Sequence, residues 1–116
     1  MKYLLLIFML VCTPAFGDKA VVEQATARNT GNGWSFDVTI RHGDTGWDHY
    51  ADGWAVLAPD GSQLGYRKLH HPHENEQPFT RSLSGVQIPA GTNSVSIRAH
   101  DSVHGWSSQA YEVSLK

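Results

Sequence analysis

The stretch Trp34 to Arg41, WSFDVTIR, alternates without a break: Trp34, Phe36, Val38 and Ile40 fall on one side, and Ser35, Asp37, Thr39 and Arg41 on the other. An apolar set that recurs every second residue describes a strand with one buried face, because a helix would scatter those four side chains around its circumference. The next residue on the apolar side is His42, which the alternation therefore points toward the open end of the core. A strand-end histidine bonded to a loop would satisfy the same pattern.

Period-two runs of this kind, rich in Val, Ile, Thr, Trp and Tyr, recur along the chain between clusters of Gly, Asn, Asp and Pro, and no amphipathic helix is legible anywhere. Seven strands are expected: Ala20 to Arg28, Trp34 to Arg41, Trp54 to Ala58, Gln63 to Leu69, Phe79 to Leu83, Ser94 to His100 and Ser108 to Leu115. Asn29 to Gly33 suits a tight hairpin, Pro59 to Ser62 a reversal, and Val86 to Thr92 a corner between sheets. In the sixth strand Val95, Ile97 and Ala99 oppose Ser96 and Arg98, and in the last Tyr111, Val113 and Leu115 share a face. Seven short strands at this spacing predict an all-β, single-domain β-sandwich with Greek-key connections.

The first 17 residues stand apart. Met1-Lys2 precedes an apolar run from Tyr3 to Cys12 and the small-residue pattern Ala15-Phe16-Gly17. That predicts a signal peptide at 1–17, cleaved after Gly17, with a domain at 18–116 that is exported to the periplasm or secreted. The run is shorter than the ~20 residues of a spanning helix, so no transmembrane segment is expected after cleavage. A lipid anchor on Cys12 is the alternative, and the bulk of Val11 and the want of a flexible tether argue against it. Cleavage removes Cys12 and both methionines, leaving no disulfide and no soft sulfur ligand. A net charge of −2 without a basic stripe makes nucleic acid an unexpected partner.

All seven histidines lie in three connections: HGDTGWDHYADGW from His42, HHPHENEQP from His70 and HDSVHGW from His100. Following the strands up and down brings all three connections to one end of the sandwich, while the Pro59 and Ile88 turns fall at the other. FTRSLSGVQIPAGTNSVSIRAHDSVHGWSS resembles the last three strands of immunoglobulin-like and fibronectin type III-like domains, over about a third of the domain, which implies a fold of that kind and leaves function open. HGDTGWDHYADGW, HPHENEQPFTRSL and AHDSVHGW resemble the motifs of a group of uncharacterised small secreted bacterial proteins, over nearly the whole domain. That resemblance implies a bacterial, exported protein and carries over no catalytic residue.

Imidazoles and carboxylates gathered at one point suggest a metal, and with no Cys or Met ligand Zn(II) or Cu(II) fits better than Cu(I) or a blue-copper centre. Asp18-Lys19-Ala20 supplies no histidine for an amino-terminal copper clamp. The expected ligands are His42, His49, His71 and His104, with His73 and His100 as substitutes; His71 and His73 project to one side of an extended segment about Pro72. Asp44, Asp48, Asp101, Trp47, Tyr50 and Trp106 are expected to orient ligands or touch a bound molecule. Three readings follow. The first is an exported metal-binding protein. The second is a module whose aromatic and polar loops bind a small ligand or a periplasmic protein without metal. The third is a metal-dependent enzyme, in which a metal-bound water would stand in for the absent nucleophile. Against all three, the Asp side chains would bond only to their own loops and the aromatics would cap the sandwich. Arg81, five residues after Glu76, is expected to pin the second loop by a salt bridge.

Overall fold

A computed structural model describes residues 19–116; the expected signal peptide and Cys12 lie outside them. The described residues contain no helix. They form β1 (Val21–Asn29), β2 (Trp34–Arg41), β3 (Ala51–Leu57), β4 (Gln63–Lys68), β5 (Phe79–Val86), β6 (Ser94–Asp101), β7 (Gly105–Trp106) and β8 (Tyr111–Ser114). One sheet has the order β1-β2-β5. The other runs β4-β3-β6, with β7 and β8 both pairing the far edge of β6.

The two sheets enclose one core, the arrangement of a β-sandwich. Phe36, Val38 and Ile40 of β2 are fully buried, as their alternation requires, and meet Trp54 and Val56 of β3, Val95, Ile97 and Ala99 of β6, and Val113 of β8. Burying side chains of this size contributes roughly 1.5–3 kcal/mol each. Trp54 is the largest of them; it sits in the core and does not cap the sandwich.

Three elements differ from the sequence-based expectation. β5 continues past Leu83 to Val86, which pairs with Trp34 of β2. β3 begins at Ala51, three residues before Trp54, because Ala51 pairs with Asp101 and Gly53 with His100; Asp and Gly are poor strand residues, which hides this extension in the sequence. The stretch after β6 folds back as the two-residue β7, so the last strand is confined to Tyr111–Ser114. Gly105, at φ 77°, makes the tight return possible.

Register fixes what lies at each end. Arg41 pairs with Val21, Ile40 with Phe79, Gly53 with Lys68 and Ala51 with Asp101. The three histidine-bearing connections therefore leave the sheets at the same end.

Candidate metal centre

The centre is assembled from backbone upward. Beyond β2 the chain keeps its parity for one step, so His42 points inward and is 1% exposed. Its amide donates to Gln77 Oε1 at 3.0 Å, and Gln77 Nε2 donates to the His73 carbonyl at 2.9 Å, tying the second loop to the first. A tight turn from Gly46 to His49, closed by the His49 amide on the Gly46 carbonyl, swings His49 back over His42. Gly46 has φ 127°, a conformation side chains other than glycine rarely adopt. β6 supplies the third group: counting on from Val95, Ile97 and Ala99, Asp101 has inward parity and is 1% exposed. The third loop is joined to the first by reciprocal bonds, Tyr50 N to Ser102 Oγ at 3.0 Å and Ser102 N to the Tyr50 carbonyl at 2.9 Å.

These paths converge. His42 Nε2 lies 3.2 Å from His49 Nε2, and His49 Nε2 lies 3.2 Å from Asp101 Oδ1. One donor atom from each of the three residues falls within 4.8 Å of the others, close enough to hold one metal ion. His104 is adjacent, with Nδ1 3.3 Å from Asp101 Oδ1 and its ring 5.0 Å from that of His49. Two ligands bonded at about 2.05 Å and separated by the tetrahedral angle lie about 3.3 Å apart, so the His42–His49 spacing fits a shared ion without rearrangement.

Protonation follows from the partners. The Asp44 carboxylate accepts from His42 Nδ1 at 2.5 Å, from the Ala51 amide at 3.0 Å and from the His73 amide at 2.7 Å. Asp44 holds His42 through Nδ1 and turns Nε2 toward His49, the carboxylate–histidine arrangement that prepares imidazole for a metal. His49 Nε2 lies between His42 Nε2 and Asp101 Oδ1, where a proton and a cation would compete for the same space.

Asp101 supplies the negative charge. Its Oδ1 accepts from the Val103 and His104 amides at 2.9 and 2.7 Å, whereas Oδ2 is buried without a hydrogen-bond partner. Burial alone would raise its pKa; the His104 and Val103 amides together with the His104 and His42 imidazoles outweigh that and hold the carboxyl below its ordinary value. An ionised, buried carboxylate with an unmet oxygen is costly unless a donor or cation meets it. His42, His49, Asp101 and His104 thus offer a borderline N/O donor set suited to Zn(II) or Cu(II).

The other expected residues are placed elsewhere. His71 is exposed, its Nδ1 3.2 Å from the Pro72 carbonyl. His73 is buried, stacked on Phe79 at 3.9 Å, with Nε2 accepting from Arg81 at 2.8 Å. Burial, then Arg81 and His71, depress its pKa against the opposing pull of Asp44 and Glu76. Arg81 also reaches Glu76 at 3.3 Å, so the expected pin on the second loop forms. His100 has outward parity and bonds Asp52 at 2.5 Å on the far side of β6, where the Trp106 ring meets its edge. Trp47, 67% exposed, packs edge-on against Tyr50 at the rim, and Asp48 is exposed. The sequence gives Asp101 only a supporting role and Asp52 only a hydrogen bond within its own loop, whereas Asp52 bonds His100 of β6; the inward count along β6 is the signal that distinguishes Asp101 from His100.

No protein-family model matches the chain, and no solved structure matches it. A protein of Halomicrobium mukohataei that bears the name "Putative lipoprotein" is 42% identical over 93 residues, which is 80% of this chain and 45% of that protein. The chain spans less than half the length of the curated relative it matches.

Proposed function

We propose that this is an exported metal-binding protein in which Zn(II) or Cu(II) is held by His42 Nε2, His49 Nε2 and a carboxylate oxygen of Asp101, with His104 closing the fourth position. The observation that carries the reading is the meeting of three donor groups from separate connections within 4.8 Å, one of them a buried carboxylate with an unpaired oxygen. Asp44 holds His42 in the tautomer that ligation needs. His71, His73 and His100, each engaged with other residues, are left out of the ligand set.

Export is supported by the basic start and short apolar run of residues 1–17 and by the lipoprotein name of the Halomicrobium relative. Among the described residues no helix is long and apolar enough to cross a membrane. We read the sandwich as fibronectin type III-like, because β4 pairs with β3 and leaves β1-β2-β5 as a three-stranded sheet; an immunoglobulin constant domain keeps its fourth strand beside the fifth.

A second reading, a module that binds a ligand or a protein through the same loops without metal, draws on Trp47 and Val103, 67% and 57% exposed at the rim. Calorimetric titration of tag-free protein with Zn(II) and Cu(II) separates the two. One saturable equivalent, lost in His49→Ala and Asp101→Asn and kept in His71→Ala, supports the metal reading. Absence of saturable binding by either ion refutes it, and partner binding that survives chelation supports the module.

A further inference from the structure

The outer face of the β4-β3-β6-β7 sheet carries groups that the metal centre does not use. Trp54 and Val56 point into the core, so Gly53 and Ala55 face outward. Ala55 is nevertheless fully buried and lies outside the core cluster. Its cross-strand partners are Tyr66 on one side and Arg98 on the other. The Tyr66 ring lies directly over Gly53, where any Cβ would strike it.

Trp106 stands beside them as a fixed platform. β7 pairs it with His100, whose ring it meets at 4.8 Å and 75°, and Tyr66 meets it at 6.2 Å and 78°. Asp52 in turn anchors His100. The indole is 44% exposed and, with Leu57, Gly61, Gln63 and Arg98, lines a cavity of about 230 Å³. At ~30 Å³ per water that is space for about seven waters, or one six-membered ring.

Arg98 gives the cavity its sign. Its Nε is buried with no hydrogen-bond partner, and no carboxylate of the described residues pairs with its guanidinium. A guanidinium with no carboxylate partner is built to receive one through two parallel bonds. The carboxylate of Asp52 is engaged by His100.

We propose that this cavity is a second binding site that takes the carboxylate-bearing ring of a uronic acid. The pyranose lays its C–H face on Trp106, Arg98 grips the carboxylate, and the Gln63 amide meets a ring hydroxyl. The aromatic platform supplies stacking, and the half-buried Arg98 guanidinium selects acidic over neutral sugars. The site stands on residues separate from the metal ligands, so it holds or fails independently of metal binding.

The test is titration of the full mature chain, followed by NMR and calorimetry, with sodium glucuronate, digalacturonate, glucose and benzoate. The expected result is saturable uronate binding with shifts at the Gln63, Arg98 and Trp106 side chains, and glucose at least tenfold weaker. Arg98→Gln and Trp106→Ala should each weaken uronate binding at least tenfold. Arg98→Lys, which keeps the charge and loses the fork, should weaken it less than Arg98→Gln; the amide NMR dispersion and urea midpoint of each variant serve as the check on folding. Equal binding of glucose and glucuronate, unchanged binding in Arg98→Gln, or no uronate binding at millimolar concentration overturns the proposal. Tighter binding of benzoate than of either uronate overturns the sugar assignment.

Discussion

The Asp44 carboxylate holds His42 Nδ1 at 2.5 Å, and both side chains are wholly shielded from solvent. The same carboxylate takes the amides of Ala51 and His73, so one side chain fixes a ligand's tautomer and ties the first and second loops together. Asp44→Asn keeps an acceptor but loses the charge. Metal affinity is expected to fall about 10- to 100-fold, the range seen when a ligand's outer partner is changed. A competition titration against a chromophoric chelator measures it, and an unchanged affinity would separate Asp44 from the centre.

How much of this was legible depends on which residue is considered. The alternation from Trp34 to Ile40 continues into His42, so a burial at the core's end was readable from one strand. The alternation of β6 placed Asp101 inward and His100 outward just as plainly, but a histidine draws attention as a ligand and an aspartate beside a loop does not. Asp44 was expected to orient a ligand, but its tie between two loops could not be read: its three donors come from residues two, seven and 29 positions away, and only the folded loops bring them together. β7 was hidden for another reason, since a two-residue strand has no period.

The second loop should respond to pH through His73. Its folded pKa lies below the ordinary 6.5 because burial and Arg81 disfavour the charged ring, so the unfolded chain binds the proton first. Stability is therefore full above about pH 6.5 and is lost as pH falls through the depressed folded value. Denaturant midpoints of metal-free protein between pH 8 and 5 should decline with acid, and His73→Gln should flatten that decline. A midpoint that rises on acidification would contradict the assignment.

Gly53 has no room for a side chain because the Tyr66 ring occupies it. Gly53→Ala is expected to cost about 1–3 kcal/mol, the usual penalty of overpacking. In a Tyr66→Ala background the same substitution should cost less, since the clash is gone. Equal costs in the two backgrounds, measured by urea unfolding, would show that the ring is not what excludes the methyl group.

Processing separates the two fates of the amino terminus. Cleavage after Gly17 leaves a chain that begins at Asp18, whereas a lipid anchor would leave an acylated Cys12 at the start. Intact mass of protein expressed with its leader in an exporting host is expected to match the Asp18 start. A mass matching a lipidated Cys12 chain recovered from membranes would replace soluble export with anchoring.

The central claim is that His42, His49 and Asp101 share one ion, and anomalous diffraction at the zinc or copper edge tests it most directly. A crystal of metal-loaded protein should show one strong peak about 2.0–2.1 Å from His42 Nε2 and His49 Nε2 and about 2.0–2.2 Å from an Asp101 oxygen. A peak bound instead by His71, His73 or His100, or no peak in this cluster at saturating metal, would contradict the account.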